Sequence, residues 1–100
     1  MRKILAKVDD ARLCRAVAGL LDGSIKVFDV RREKRGTRAR IRGTRDEFTV
    51  YIEGKQVYCS CLDFYSHRIY CKHIATVALH ELGAAAKARS ERRELIGLML

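Results

Sequence analysis

Residues 59–73 read Cys-Ser-Cys-Leu-Asp-Phe-Tyr-Ser-His-Arg-Ile-Tyr-Cys-Lys-His, and they gather three of the four cysteines and two of the three histidines of a 100-residue chain. Thiolate sulfur and imidazole nitrogen are the donors that hold zinc, and four of them in a tetrahedron put sulfurs about 3.8 Å apart. Residues i and i+2 of a straight strand share a face but lie about 6.6 Å apart. Cys59 and Cys61 therefore converge on one ion only where a strand bends or ends. On a helix, i and i+2 point about 200° apart. Cys71 and His73 therefore meet one ion only if Cys71 precedes the first turn and His73 lies in it. The spacing predicts a helix start within a residue or two of Cys71, with its positive end favouring nearby thiolates. The candidate ligand set is Cys59, Cys61, Cys71 and His73. Four protein ligands close the coordination shell, which is the mark of a structural rather than a catalytic zinc. His67 is read as an exposed loop residue and His80 as a helix-surface or half-buried one.

Other chemistries compete for the same residues. A disulfide from Cys71 to Cys59 or Cys61 leaves one thiol and His73 without a role. A thioredoxin-like redox pair has two intervening residues rather than one. A Cys–His nucleophile needs a third, orienting group, and nothing marks one.

The elements around this stretch follow from periodicity. Residues 8–21 carry Leu13, Ala16, Val17, Leu20 and Leu21 at helical spacing, with Asp9 or Asp10 as cap and Gly23 as stop. Cys14 falls in this helix and reads as a small buried hydrophobe. The period then changes to two. Strands are expected over 24–30, 37–42, 47–53 and 56–60, with turns at 43–46 and at Gly54-Lys55. Helical spacing returns after Cys71 with Ile74, Val77, Ala78 and Leu82. Gly83 should end or weaken that helix, and 84–100 should be helical again from a cap at Ser90. The fold class is thus α+β in one domain: an N-terminal helix, a four-stranded antiparallel meander, a zinc knuckle and C-terminal helices.

Composition narrows the function. A chain this short builds a marginal core and benefits from a metal or a partner. No apolar run reaches the roughly 20 residues of a membrane span. The opening MRKILAKVDD has too short an apolar segment for a signal peptide, so the cytoplasm is the expected compartment, where disulfides are rare. There is no Asn, Pro or Trp, and a third of the residues are charged, a composition that leans thermophilic. Net charge is +9. Most of it sits in 31–45, where eight cations (Arg31, Arg32, Lys34, Arg35, Arg38, Arg40, Arg42, Arg45) face one acid, Glu33. Arg38, Arg40 and Arg42 alternate onto one strand face at a repeat of roughly 6.8 Å, a spacing comparable to successive phosphates. Tyr51 and Tyr58 on the neighbouring strands offer ring surfaces for bases. The expectation is sequence-tolerant, salt-sensitive binding to nucleic acid, DNA first. The rival is a protein adaptor whose basic strand meets an acidic partner. An enzyme, such as a zinc hydrolase or thiol oxidoreductase, is a third class that nothing beside His73 favours.

Cys59-x-Cys61, nine residues, Cys71-x-His73, with a strand running into CSC and CKHI opening a helix, resembles the SWIM zinc finger over residues 48–82. That resemblance implies a β-hairpin and a helix held by one Zn2+, in a family associated with DNA or protein binding. Size and layout are similar to small archaeal relatives of the Sws1/Shu2 recombination factors, although Thr76 departs from their longer CxHxxA pattern. The resemblance implies RecA/Rad51-like recombinase paralogs as partners. The tail, with Leu95, Ile96, Leu98 and Met99, is apolar enough to dock such a partner or a second copy of the chain, or to pack on the first helix.

Overall fold

A computed structural model describes the backbone of residues 1–99 and the side chains of residues 1–87. In chain order it contains α1 (Arg2–Leu5), α2 (Asp10–Asp22), β1 (Lys26–Arg32), β2 (Thr37–Arg42), β3 (Glu47–Glu53), β4 (Gln56–Cys59), α3 (Leu62–His67) and α4 (Lys72–Met99). The strands form one antiparallel sheet in the order β1-β2-β3-β4. The α+β meander read from the sequence is what the chain adopts. No described helix is long and apolar enough to cross a membrane.

The alternation in β2 and β3 decides which way the sheet faces. Ala39, Ile41, Val50, Ile52 and Cys59 turn inward and are buried. They meet Ile74, Val77 and Ala78 on the underside of α4 in one continuous core. Each large side chain buried this way contributes about 1.5–3 kcal/mol. The opposite face, with Arg38, Arg40 and Arg42, is exposed. The Gly54-Lys55 turn closes the β3–β4 hairpin with Gly54 at φ 57°, a left-handed value that costs glycine nothing. The turn at 43–46 closes with the Gly43 N–H donating to the Asp46 carbonyl at 2.9 Å.

β1 departs from the expected alternation. Phe28 pairs with Arg40, and Arg31 pairs with Arg38, so two residues of β1, Asp29 and Val30, stand opposite one of β2. This is a β-bulge, with Asp29 in the left-handed region at φ 51°. It lets Val27 and Val30 both pack against the core and turns Phe28 and Arg31 together toward the outer face. The strand starts and ends two residues later than its periodicity suggested.

Three further differences concern helices. α2 begins behind Asp9, whose carboxylate accepts the Arg12 N–H at 2.9 Å, and ends before Gly23 at φ 80°. Its inward face, however, is centred on Ala16 and Gly19 rather than on the larger residues. Ala16 packs on Ala75 of α4, and a Cβ at Gly19 would collide with Ile25. Small side chains let α2 come close to its neighbours, so the helix is rotated. Val17 and Leu21 are 39% and 83% exposed, and Cys14 is exposed rather than buried. Second, α4 runs unbroken through Gly83 as one helix of 28 residues. An interior glycine costs about 1 kcal/mol but terminates a helix only where the backbone turns left-handed. Third, α1 and α3 were not anticipated, being only four and six residues long. The cap at Ser90 and the side chains of Leu95, Ile96, Leu98 and Met99 lie outside the described residues.

Candidate metal centre

The four ligand candidates come from three different element ends. Cys59 is the last residue of β4, so the strand stops where the spacing required it to. Cys61 is the N-cap of α3, with its sulfur accepting the Phe64 N–H at 3.4 Å. Cys71 sits just before α4, and its carbonyl accepts the Ala75 N–H at 3.1 Å. His73 lies in the first turn of that helix. Their ligand atoms all lie within 4.8 Å of one another, and all four residues are buried. The His73 Nδ1 is 3.7 Å from the Cys59 sulfur and 4.0 Å from that of Cys71.

Three buried thiols and an imidazole at this separation cannot all carry charge without a cation. The Cys71 thiol is lowered to about 4, first because Cys59 donates a hydrogen bond to it and despite a burial that opposes ionisation. His73, the Ile74 N–H and Cys61 add to the effect. Cys59 is pushed up by that same hydrogen bond and by burial, and Cys61 is pushed up first by burial. One sulfur thus takes the negative charge and its neighbours give it hydrogen bonds. A soft dication satisfies all four donors at once. Soft thiolates with one imidazole are the donor set of tetrahedral structural zinc, and the cluster fits one such ion. Bound there, zinc would tie the end of β4, the cap of α3 and the first turn of α4 together.

The surrounding groups fix the ligands' orientation. The Phe48 ring stacks on the His73 ring at 4.3 Å and 27°. Arg12 on α2 holds Asp63 on α3 through two hydrogen bonds, Nε to Oδ2 at 2.8 Å and the second guanidinium nitrogen to Oδ1 at 2.9 Å. That fork secures α3 two residues after Cys61. Neither contact was foreseen, since spacing within the finger shows its ligands but not what packs on them. His67 ends α3 in solvent, and His80 is half-buried beside Glu81. Both stand outside the cluster, as expected.

The structure divides the eight cations of 31–45. Arg31, Arg38, Arg40 and Arg42 share the outer face of the sheet. Arg40 and Arg42 both lie over the Phe28 ring, at 5.2 and 5.0 Å, and Arg38 over Tyr51 at 5.6 Å. Tyr58 stands opposite Tyr51 in register. The face is less basic than its sequence window, because Glu47 pairs with Arg40 at 2.8 Å and Arg42 at 3.1 Å, and Asp29 with Arg31 at 3.4 Å. Arg32 is turned the other way by the bulge and holds Glu81 of α4 through two hydrogen bonds at 2.7 and 3.0 Å. Lys34 and Arg35 occupy the β1–β2 turn, and Arg45 the β2–β3 turn. Glu47 and Asp29 flank the basic window, and counting charge only inside it hid them.

No curated protein and no solved structure matches the chain. Residues 48–82, which hold all four donors, the stacking Phe48 and the opening of α4, match the family model of the SWIM zinc finger, and their buried Cys3His cluster fits one structural zinc ion.

Proposed function

We propose that this chain is a non-enzymatic accessory factor that binds nucleic acid, DNA first and without sequence preference, along the outer face of its sheet, while zinc keeps that sheet locked to α4. The observation that carries the reading is the row Arg38, Arg40, Arg42, whose guanidiniums are spread over the Phe28 and Tyr51 rings. Cation–π contact of this kind holds an arginine extended, and its planar fork grips phosphate oxygens in pairs. The bulge adds Arg31 to the row. Exposed ion pairs such as those with Glu47 are worth about 0–1 kcal/mol, so a phosphate displaces the carboxylate at small cost. Four protein ligands leave the metal no open position, which supports a binding role over a catalytic one.

The test is fluorescence anisotropy with labelled single-stranded and duplex DNA across a salt series, with zinc content measured on the same sample. Binding should weaken linearly in log salt, by about 0.7–0.9 per phosphate engaged. Changing Arg38, Arg40 and Arg42 together to Ala should weaken binding and flatten that slope by about 2–3, with zinc content unchanged. Failure to bind either DNA at low salt overturns the reading.

A second reading is favoured by Glu47: a face that already holds a carboxylate also suits an acidic protein surface. A partner that binds the face with equal strength in the presence of excess DNA would select it. The context we propose, on the finger's layout alone, is recombination or repair beside a RecA/Rad51-like recombinase. Co-purification with such a chain, and its loss in Leu95→Asp or Leu98→Asp, tests that context.

A further inference from the structure

A cleft of about 1020 Å³ that includes none of the sheet-face arginines lies between α1, the Gly54-Lys55 turn and Leu82 of α4. Its apolar lining is aliphatic: Met1, Ile4, Ala6 and Leu82. Its rim carries Arg2, Lys3, Lys7 and Lys55, all exposed, and no carboxylate is among its described lining residues. Two other clefts differ in this respect, since Asp22 and Asp46 line one and Asp29 the other.

We infer that this cleft docks an acidic segment of a partner protein that inserts one or more large aliphatic or aromatic side chains between the four cations. Charge complementarity selects the occupant. Four like charges around an apolar floor repel one another until carboxylates meet them, and complementary rim charge speeds encounter and fixes register. Nucleic acid is disfavoured here because the floor offers no flat ring on which a base stacks. The walls are also supported from within. The Tyr70 hydroxyl donates to the Lys55 carbonyl at 3.1 Å, and the Lys7 ammonium lies 5.7 Å from the Tyr70 ring centre. Tyr70, which immediately precedes the candidate zinc ligand Cys71, thus ties the turn and the segment after α1 to the finger. The site is separate from the nucleic-acid face and does not rest on that reading.

The test is selection of short random peptides displayed on phage against the zinc-loaded full chain. Selected peptides are then measured by anisotropy against three zinc-loaded variants. Selected binders should be net acidic and contain large apolar residues. Lys3→Glu with Lys55→Glu, both at exposed positions, should weaken them about tenfold or more, and Leu82→Ser should weaken them also. The Arg38, Arg40, Arg42 triple Ala variant should bind them as the parent does. The inference is overturned if selection yields no binders, if binders are neutral or basic, or if acidic binders are lost with the triple variant and kept by the cleft variants. Loss of DNA binding in the triple variant with peptide binding intact separates the two surfaces.

Discussion

Phe48→Leu separates what holds the metal from what fills the core. Phe48 is half-buried and stacks on His73 at 4.3 Å and 27°. Leucine keeps most of the apolar bulk, so packing around β3 survives. What disappears is the flat surface that sets the plane of the imidazole. Aromatic stacking adds about 0.5–1.5 kcal/mol beyond area burial. Groups that orient metal ligands change affinity by about 10–100-fold. The two ranges meet near tenfold, or about 1.4 kcal/mol. Zinc affinity, measured by competition with a chromophoric chelator at fixed pH, should fall by that factor. Stability at a given free zinc should fall by the same amount, lowering the melting temperature by about 5–10 °C for a domain of this size. Raising free zinc tenfold should restore it, because stabilisation by a ligand follows the ratio of its concentration to its dissociation constant. Phe48→Ala should lose more, since a cavity adds a cost that zinc does not repair. A leucine variant that holds zinc as tightly as the parent would show that the ring is core filling only.

Four more outcomes are expected. Cys71→Ser should abolish stoichiometric zinc by elemental analysis and release α4 from the sheet in near-ultraviolet dichroism, since structural zinc carries about 10–16 kcal/mol at neutral pH against a whole-domain stability of about 5–15 kcal/mol. A double-mutant cycle of Arg12→Ala and Asp63→Ala in urea should return a favourable coupling between the two residues; a value near zero would detach α2 from the finger energetically. Burial pushes the Glu81 carboxyl up, but Arg32 outweighs it and the net is lowered. The pair's contribution is therefore complete above the ordinary glutamate range and lost as pH falls through the depressed value, so the stability gap between parent and Glu81→Gln should close on acidification. Glu47→Gln should tighten DNA binding several-fold at low salt by freeing Arg40 and Arg42; an unchanged affinity would mean that neither arginine meets phosphate.

Much of the fold was legible because two periodicities do not resemble each other. β2 and β3 alternate so cleanly that their bounds and faces follow from the sequence, and Gly54 marks a turn by the left-handed conformation it permits. The metal cluster was legible for a similar reason. Helix and strand geometry each forbid i,i+2 convergence, so the pairs had to fall at element ends, as they do at Cys59 and Cys71. The bulge was hidden, because VFDVRR alternates in two registers and only the demand that Val27 and Val30 both reach the core chooses between them. The rotation of α2 was hidden as well. Hydrophobic spacing points to large residues, whereas close helix approach is set by the small ones, Ala16 and Gly19. Charge was the least legible quantity. A window of sequence records how many cations are near one another in the chain, but the bulge decides that Arg31 joins Arg38 and that Arg32 faces Glu81.

The metal and the outer face are mechanically one unit, and strand β3 is the reason. Its inward residues Phe48 and Val50 touch the finger: Phe48 stacks on His73, and Val50 pairs with Cys59. Its outward residue Tyr51 lies beneath Arg38, and Glu47 at the start of the strand pairs with Arg40 and Arg42. Every residue of β2 from Thr37 to Arg42 is in register with β3, so the arginine row stands between β1 on one side and, on the other, the strand that the zinc secures. The buried sulfurs of Cys59, Cys61 and Cys71 belong to the same core cluster as Ile41, Ile74 and Val77, so losing the ion opens the core from within rather than at an edge. The core of a chain this short is marginal, so the ion's contribution to holding the sheet against α4 is a large share of the total. Chelation should therefore abolish DNA binding and zinc content together, although Arg38, Arg40 and Arg42 lie on the opposite face of the sheet from the cluster. A protein that released its zinc and still bound DNA with an unchanged salt slope would break this link between the two faces of β3.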